Sequence, residues 1–398
     1  MSVHTVQLAD VCAINPRLVN RPTQETLVSF VPMADLNAES GTTSIGMDRP
    51  FGEVAKGYTQ FADQDILVAK ITPCFENGKI AQARLRQAHG VGSTEFHVVR
   101  PNRSLVDDRY LLRYLRQPYI RIAGEKRMTG SGGQRRVPEA YLANLRLPLP
   151  PLKKQRRIAG VLDEIDALRT KRREAIAFLD GLARSIFIDM FGRVSDLTQA
   201  WPSKILDSVT EQINDCPHST PKWTEEGEIC LRTSNLLYGS WDWTDTRFVS
   251  KETFLDRSRR GSVEPGDIIL SREGTVGIAA IVEEGMRLCM GQRLVQIRGR
   301  TDMLTPKFLL RYLLEILAPD RISQYMVGST SRHLNVRDLK SLQVPLPPMT
   351  LQQVFDERLS KVSAQKELSI AHLAELDALF ASAQHRGFHG ELWDDPIM

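Results

Sequence analysis

The chain repeats itself. Tyr110-Leu-Leu-Arg-Tyr-Leu115 returns as Phe308-Leu-Leu-Arg-Tyr-Leu313, and Met128-Thr-Gly-Ser131 returns as Met326-Val-Gly-Ser329. Pro148-Leu-Pro-Pro151 returns as Pro345-Leu-Pro-Pro348, and Phe191 returns as Phe388. Asp65-Ile66-Leu67 is matched by Asp267-Ile268-Ile269, each ahead of a basic residue, Lys70 or Arg272. These five ordered landmarks recur at offsets between 197 and 202 residues. A solenoid repeats every ~20–50 residues, so this is a two-part unit present twice. Whatever one copy folds into, the other must fold into as well.

The first part of each unit, residues 1–150 and 196–347, reads as mixed α/β structure. Short β-branched runs such as Ile66-Leu67-Val68 and Ile278-Ala279-Ala280-Ile281-Val282 are bounded by Gly, Pro and Asp, as strands are. A short helix carrying Leu-Leu-Arg-Tyr-Leu comes after them. Next is a glycine-serine loop, Gly130-Ser131-Gly132-Gly133 or Gly328-Ser329-Thr330-Ser331. Pro-Leu-Pro-Pro then resists helix and fixes a rigid, extended entry to the second part of the unit.

The second part, residues 151–195 and 348–398, is a long helix. No proline occurs from Lys153 to Met190. Apolar residues recur there at Ile158, Val161, Ile165, Leu168, Ala175, Leu179, Leu182 and Ile186, and Arg172 breaks the stripe. The distal copy carries Phe355, Leu359, Val362, Ile370, Leu373, Leu376, Leu379 and Phe380, interrupted at Ser363, Lys366 and Ser369. This three-then-four spacing predicts a coiled-coil seam. About 36 helical residues span roughly 54 Å. A rod with one apolar stripe needs a partner, and the duplicate supplies one. The predicted fold class is α+β. Two globular mixed α/β domains alternate with two long helices, which pair as an antiparallel coiled coil and relate the halves by a pseudo-two-fold.

Composition narrows the function. Hydrophobic residues at 42% and charged residues at 25% are those of a soluble globular chain. No run of eighteen apolar residues occurs, and the N-terminus lacks a basic region followed by an apolar core, so neither a membrane span nor a secretory signal is expected. Five scattered cysteines, none in a Cys-x-x-Cys pair, argue for a reducing cytoplasm and against a cysteine-rich zinc site. Net charge is only +4, yet between Arg84 and Arg146 thirteen Lys or Arg stand against five Asp or Glu. Arginine-rich surfaces of this kind hold phosphates, although a solvated helix face has the same composition.

Catalytic motifs are missing. There is no Gly-x-x-x-x-Gly-Lys-Ser/Thr phosphate cradle, no Gly-x-Ser-x-Gly and no Asn/Asp-Pro-Pro-aromatic motif of amino-methyltransferases. Glu264-Pro265-Gly266-Asp267 with Glu273 imitates a nuclease carboxylate pair but lacks the lysine such a pair carries after it. His385 and His389 are spaced to share a helix face, although Gly387 between them weakens the helix there. No third metal ligand accompanies them, and both read as solvent-facing.

The ordered landmarks resemble the specificity subunit of type I restriction-modification enzymes over nearly the whole length. Pro-Leu-Pro-Pro with Gln155-Arg-Arg-Ile158 looks like that family's central helical region, and Pro345-Leu-Pro-Pro348 with Gln352 and Gln353 like its distal one. Gly266-Asp267-Ile268 and Asp215-Cys-Pro-His-Ser-Thr-Pro-Lys222 are similar to segments of its target recognition domains. Gln64 stands where the first half would carry the glycine of Gly-Asp-Ile. The resemblance implies target recognition domains at 1–150 and 196–347, with conserved helices at 151–195 and 348–398. It implies a non-catalytic chain that reads a bipartite double-stranded DNA target. Two methyltransferase subunits, and then restriction (translocase-nuclease) subunits, would assemble on it. S-adenosylmethionine, ATP and Mg would be bound by those partners, and this chain would bind no cofactor and no metal. The competing expectation is a stand-alone or fused enzyme that modifies or cuts DNA.

Bases are read by polar side chains on positioned loops, and phosphates are held by Arg, Lys, hydroxyls and amides. In the first half the candidates are Lys70, Thr72, Asn77, Lys79, Gln134, Arg135 and Arg136. In the second they are His218, Ser219, Thr220, Lys222, Arg272, Arg293, Arg332 and His333. Trp223, Trp241 and Trp243 are assigned to a core or its rim rather than to base stacking.

Overall fold

The computed structural model describes residues 4–18, 20–44, 46–131, 133–327 and 333–392. Two compact units emerge: Met1–Arg172 with His372–Met398, and Arg173–Ala371. The division runs through both long helices, so each unit takes one half of each helix.

In the first unit a central sheet is ordered Cys12–Ile14, Phe96–Pro101, Ile66–Ala69, Ile80–Gln82, and then the short Thr42–Thr43 and Leu36–Asn37. The first four strands are antiparallel neighbours. Ile66–Ala69 is buried on both faces, which is why it reads as an unbroken apolar run. Its side chains alternate between two cores. Ile66 and Val68 join Tyr110, Leu111 and Ile158, whereas Leu67 joins Val31, Phe61 and Phe96. A second sheet is ordered Met47–Pro50, Leu27–Val31, His89–Gly92, Thr59–Ala62, with a parallel pairing between Leu27–Val31 and His89–Gly92.

The second unit repeats the plan. Thr210–Asp215, Leu294–Gly299, Ile268–Ser271 and Ala279–Ile281 take the same order. Ile268 and Leu270 face one core and Ile269 the other. Its second sheet keeps the parallel pair, Glu228–Leu231 with Leu288–Met290, but its edge strand Trp223–Thr224 adds to Phe248–Val249 instead.

Three buried polar devices recur. Gln155, fully buried in the first turn of the proximal helix Leu152–Phe191, accepts from the Asp107 N–H (2.8 Å) and donates to the Leu105 and Pro150 carbonyls (2.9 and 2.8 Å). Gln352, in the distal helix Met349–His389, accepts from the Thr305 N–H (2.9 Å) and donates to Met303 and Pro347 (3.0 and 2.9 Å). Each glutamine thus ties the start of its long helix to the cap of the short helix before it and to the Pro-Leu-Pro-Pro strap. The tyrosine shared by both Leu-Leu-Arg-Tyr-Leu helices is the second device. The Tyr114 hydroxyl donates to the Arg146 carbonyl (2.7 Å), and the Tyr312 hydroxyl to Gln343. The third is the aspartate of the Asp-Ile motif. Arg100 donates twice to buried Asp65 (2.8 and 2.6 Å), and Arg298 donates twice to buried Asp267 (2.7 and 2.9 Å). Gln64, at φ +65°, adopts the left-handed backbone that Gly266 takes at φ +89°. The expected departure from Gly-Asp-Ile is therefore a change of residue without a change of turn.

Within each unit the long helices pair antiparallel. In the first, Gly387 lies so close to Ile158 that a Cβ there would stand 3.0 Å from Ile158 Cγ2, so this glycine is a packing contact within the helix rather than a break in it. In the second, Phe187 and Phe191 pack on Phe355 with ring centroids 5.7 and 5.3 Å apart. The seam differs from its apolar spelling. Leu168, Ile370 and Leu379 are about half exposed, while Ser369 is buried and Arg169 mostly so. Arg169 lies 4.5 Å over the Phe380 ring and pairs with Asp166 (2.8 Å) and Asp377 (2.6 Å). Its guanidinium covers an aromatic ring of the facing helix, a contact that hydrophobic spacing alone misses. Lys366 pairs with Asp180 at 2.6 Å. Among the described residues no helix is long and apolar enough to cross a membrane.

Candidate nucleic-acid interface

Antiparallel pairing brings three chain segments to one end of each central sheet. In the first unit Phe96 faces Ala69 and Val99 faces Ile14. Segments 15–18, 70–79 and 93–95 therefore leave the sheet together. The glycine-serine loop is stitched to them. The Val137 N–H donates to the Lys70 carbonyl (2.8 Å), the Thr72 N–H to the Arg135 carbonyl (3.0 Å), and Arg136 bridges both Ile71 and Thr129. In the second unit the glycine-serine loop at 328–331 lies outside the described residues, and the segment after it makes the matching contacts. The Leu334 N–H donates to the Arg272 carbonyl (2.9 Å), and His333 bridges Glu273. The Lys70 N–H donates to the Glu95 carbonyl (2.9 Å), and the Arg272 N–H to the Arg293 carbonyl (3.0 Å). Residues far apart in sequence thereby share one polar end in each unit.

The individual side chains differ in use. Lys70 is half-buried at the mouth of its strand. The Thr72 hydroxyl donates to Glu76 at 2.9 Å, and Asn77 is exposed. Lys79 turns inward, its Nζ donating to the Met33 carbonyl at 2.8 Å. Gln134 and Arg135 are exposed, with Arg135 Nη2 3.6 Å from Glu76. Arg136 grips Glu95 through Nε and Nη2 at 2.9 and 2.7 Å. That grip holds the Glu95 carboxyl below its ordinary pKa and raises that of Arg136.

In the second unit, exposed His218 has Nε2 3.3 Å from Asp215, and Ser219, Thr220 and Lys222 are exposed beside it. Arg272 is buried, 3.1 Å from Asp215 and 3.4 Å from Glu273. Arg293 is exposed and 3.5 Å from Glu273, on a left-handed backbone at φ +67°. His333 is half-buried, and Arg332 lies outside the described residues.

Much of the arginine excess is internal. Arg100 and Arg113 hold carboxylates, while Arg116 and Arg121 donate to the carbonyls of Ala38, Glu39 and Glu76. The imitation nuclease pair is likewise structural, since Asp267 is committed to Arg298 and Glu273 faces Arg272 and Arg293. His385 and His389 are both exposed, their rings stacked 4.1 Å apart. Trp241 packs in a core with its indole N–H on the Ile281 carbonyl (2.8 Å), and Trp243 stacks on it at 5.3 Å. Among the described residues no group of three or more His, Cys, Asp or Glu is placed to hold a metal ion.

Sequence reasoning passed over Arg17, Arg21, Tyr58 and Gln60. With Asn15 and Pro16 they line a cleft of ≈ 470 Å³ in the first unit. A signal was available. Segment 15–21 comes after Cys12–Ile14 as segment 216–222 comes after Thr210–Asp215, and Pro16 answers Pro217.

The model of the type I restriction modification DNA specificity domain matches residues 2–177 and 222–378. The specificity subunit of the type I restriction enzyme EcoEI of Escherichia coli is 41% identical over 162 residues, 40% of this chain and 27% of that protein. The match thus spans about a quarter of that relative. The MjaVIII specificity subunit of Methanocaldococcus jannaschii is 20% identical over 328 residues, 78% of this chain and 76% of its own. Among solved structures, a chain of a type I R-M system aligns with a TM-score of 0.60 at 21% identity over 98% of both chains. The type I restriction-modification S subunit of M. genitalium aligns with a TM-score of 0.55 at 13% identity, over 99% of this chain and 96% of that one.

Proposed function

The chain belongs to the type I restriction modification DNA specificity family, and from that premise we propose that it reads a bipartite double-stranded DNA target, one half-site per unit. The observation that carries this reading is the duplicated polar end. In each unit the same strands deliver basic and hydrogen-bonding side chains to one place, yet the side chains differ between the two. Two readers built on one frame suit a target in two parts. Base edges in the major groove distinguish all four base pairs, and Arg, Gln, Asn, Thr and His are the side chains that read them.

In this reading the chain has no catalysis of its own. Two methyltransferase subunits and then restriction subunits assemble on it, and they bind S-adenosylmethionine, ATP and Mg. The apolar side chains left exposed along the long helices, Leu168, Phe178, Ile370 and Leu379, support docking of other subunits there. The helices act as a spacer, so the half-sites lie a fixed number of base pairs apart.

The test is methylation and binding. The full chain with its modification subunits should protect one bipartite sequence, and its affinity should fall steeply with salt. The chain by itself should transfer no methyl group. Methyl transfer by the purified chain alone, or salt-independent binding, would overturn the reading.

A further inference from the structure

The arginines at the polar ends are not equally free to meet a phosphate. Arg135 and Arg136 each face a carboxylate, Glu76 or Glu95, and Arg272 and Arg293 face Asp215 and Glu273. A carboxylate beside the guanidinium offsets part of its attraction for a phosphodiester. Arg17 and Arg21 are different. Both are exposed, and among the described residues neither forms an ion pair. Arg21 rests 5.9 Å over the Phe51 ring, which leaves its guanidinium charge uncompensated.

Both arginines line the ≈ 470 Å³ cleft together with Tyr58 and Gln60, a hydroxyl and an amide of the kind that donate to phosphate oxygens. The Gln60 amide gives one proton to the Ala55 carbonyl (3.4 Å) and keeps the other. Tyr58 is braced edge-on against Phe30, with centroids 5.1 Å apart. Exposed Asn15 also lines the cleft and is already occupied. Its Oδ1 accepts from the Val98 N–H (3.0 Å), and its Nδ2 donates to Glu139 (2.7 Å) and lies 3.2 Å from His97 Nδ1. The cleft opens at the end of the sheet from which the Lys70 and Arg136 segments emerge.

We propose that this cleft is a backbone clamp. Arg17 and Arg21, with Tyr58 and Gln60, hold consecutive phosphates of one DNA strand and set the register in which the carboxylate-paired Arg135 and Arg136 meet base edges. The proposal rests on the DNA-reading function above and adds a division of labour within the first unit.

The test measures DNA affinity of the full chain, co-purified with its modification subunits, across a salt titration. Targets are the methylated sequence and a scrambled duplex. With Arg17→Ala and Arg21→Ala together, the salt slope should fall by about two, because each backbone contact contributes ~0.9. The affinity ratio between ~50 and ~200 mM salt should then shrink roughly tenfold. Both duplexes should weaken alike, and sequence preference should be kept. Arg17→Lys with Arg21→Lys should restore the slope. An unchanged slope, or a loss confined to the methylated sequence, overturns the clamp while leaving the DNA-reading function intact. A wild-type chain that bound neither duplex would overturn that function, and the clamp with it.

Discussion

The two units share a frame and differ at their polar ends. Gln155 and Gln352 make the same three bonds, all to backbone atoms. Tyr114 and Tyr312 likewise bond a strand carbonyl. A contact to backbone does not depend on which side chains surround it, so such contacts persist while neighbours change. At the polar ends the reverse holds. The residue whose carbonyl accepts from the basic strand-end N–H is Glu95 in one unit and Arg293 in the other, a reversal of charge at the same backbone hydrogen bond. Between the two units the side chains therefore differ at the polar ends and are kept in the frame.

The largest effects should come from the shared frame. Gln155→Ala strands a helix-cap N–H and two carbonyls, and Gln352→Ala does the same in the second unit. Each should cost about 3 kcal/mol, since a buried group left without a partner costs ~1–3 kcal/mol. Hydrogen exchange with mass spectrometry would locate each loss in its own unit. A neutral result at one of the two would break the equivalence.

At the reading ends the effects should be confined to one half-site. Arg136→Ala should cost ~1–3 kcal/mol at one base pair of the first half-site, and Arg293→Ala the same in the second, if each meets a base edge. Binding to single-base-pair variants of each half-site checks this. A uniform loss across all variants would instead mark phosphate contacts.

A smaller effect tests the turn. Gln64 holds a left-handed backbone that costs roughly 1 kcal/mol outside glycine. Gln64→Gly should stabilise the first unit by about that amount, and Gly266→Gln should destabilise the second by a similar amount. Urea unfolding of the two variants measures both signs.

The smallest expected effect is a pH asymmetry. Buried His97 has Nδ1 beside an Asn15 amide donor and Nε2 on the Val137 carbonyl (2.8 Å), an arrangement that suits the neutral ring. Burial lowers its pKa, Lys70 adds to the lowering, and Val137, Glu139 and Glu95 oppose it. A depressed pKa means that the stabilisation is complete above the unfolded value, about 6.5, and is lost as pH falls toward the folded one. Protection of the first unit should decline below that pH. Val295 stands at the equivalent strand position in the second unit, so this decline should be absent there, and His97→Val should flatten it.

The duplication, the long helices and the strand-ending loops were legible because they leave patterns in apolar spacing and in Pro, Gly and Asp. The seam was not fully legible. Arg169 covers the Phe380 ring with its guanidinium, and Ser369 is buried while bonding its own helix at the Gln365 carbonyl (2.8 Å). Nor was the fate of each arginine, since a guanidinium that holds a carboxylate and one that faces solvent are the same letter. Arg272 lies buried beside Asp215, while Arg17 and Arg21 stand exposed in a segment whose one link to the second unit is Pro16, the counterpart of Pro217.

The central claim is that each unit reads its own half-site. Exchange of residues 1–150 for those of a relative with a different target, followed by mapping of the methylated bases, tests it most directly. The account predicts that one half-site changes while the other half-site stays the same. A target in which both half-sites change together, or neither does, would contradict it.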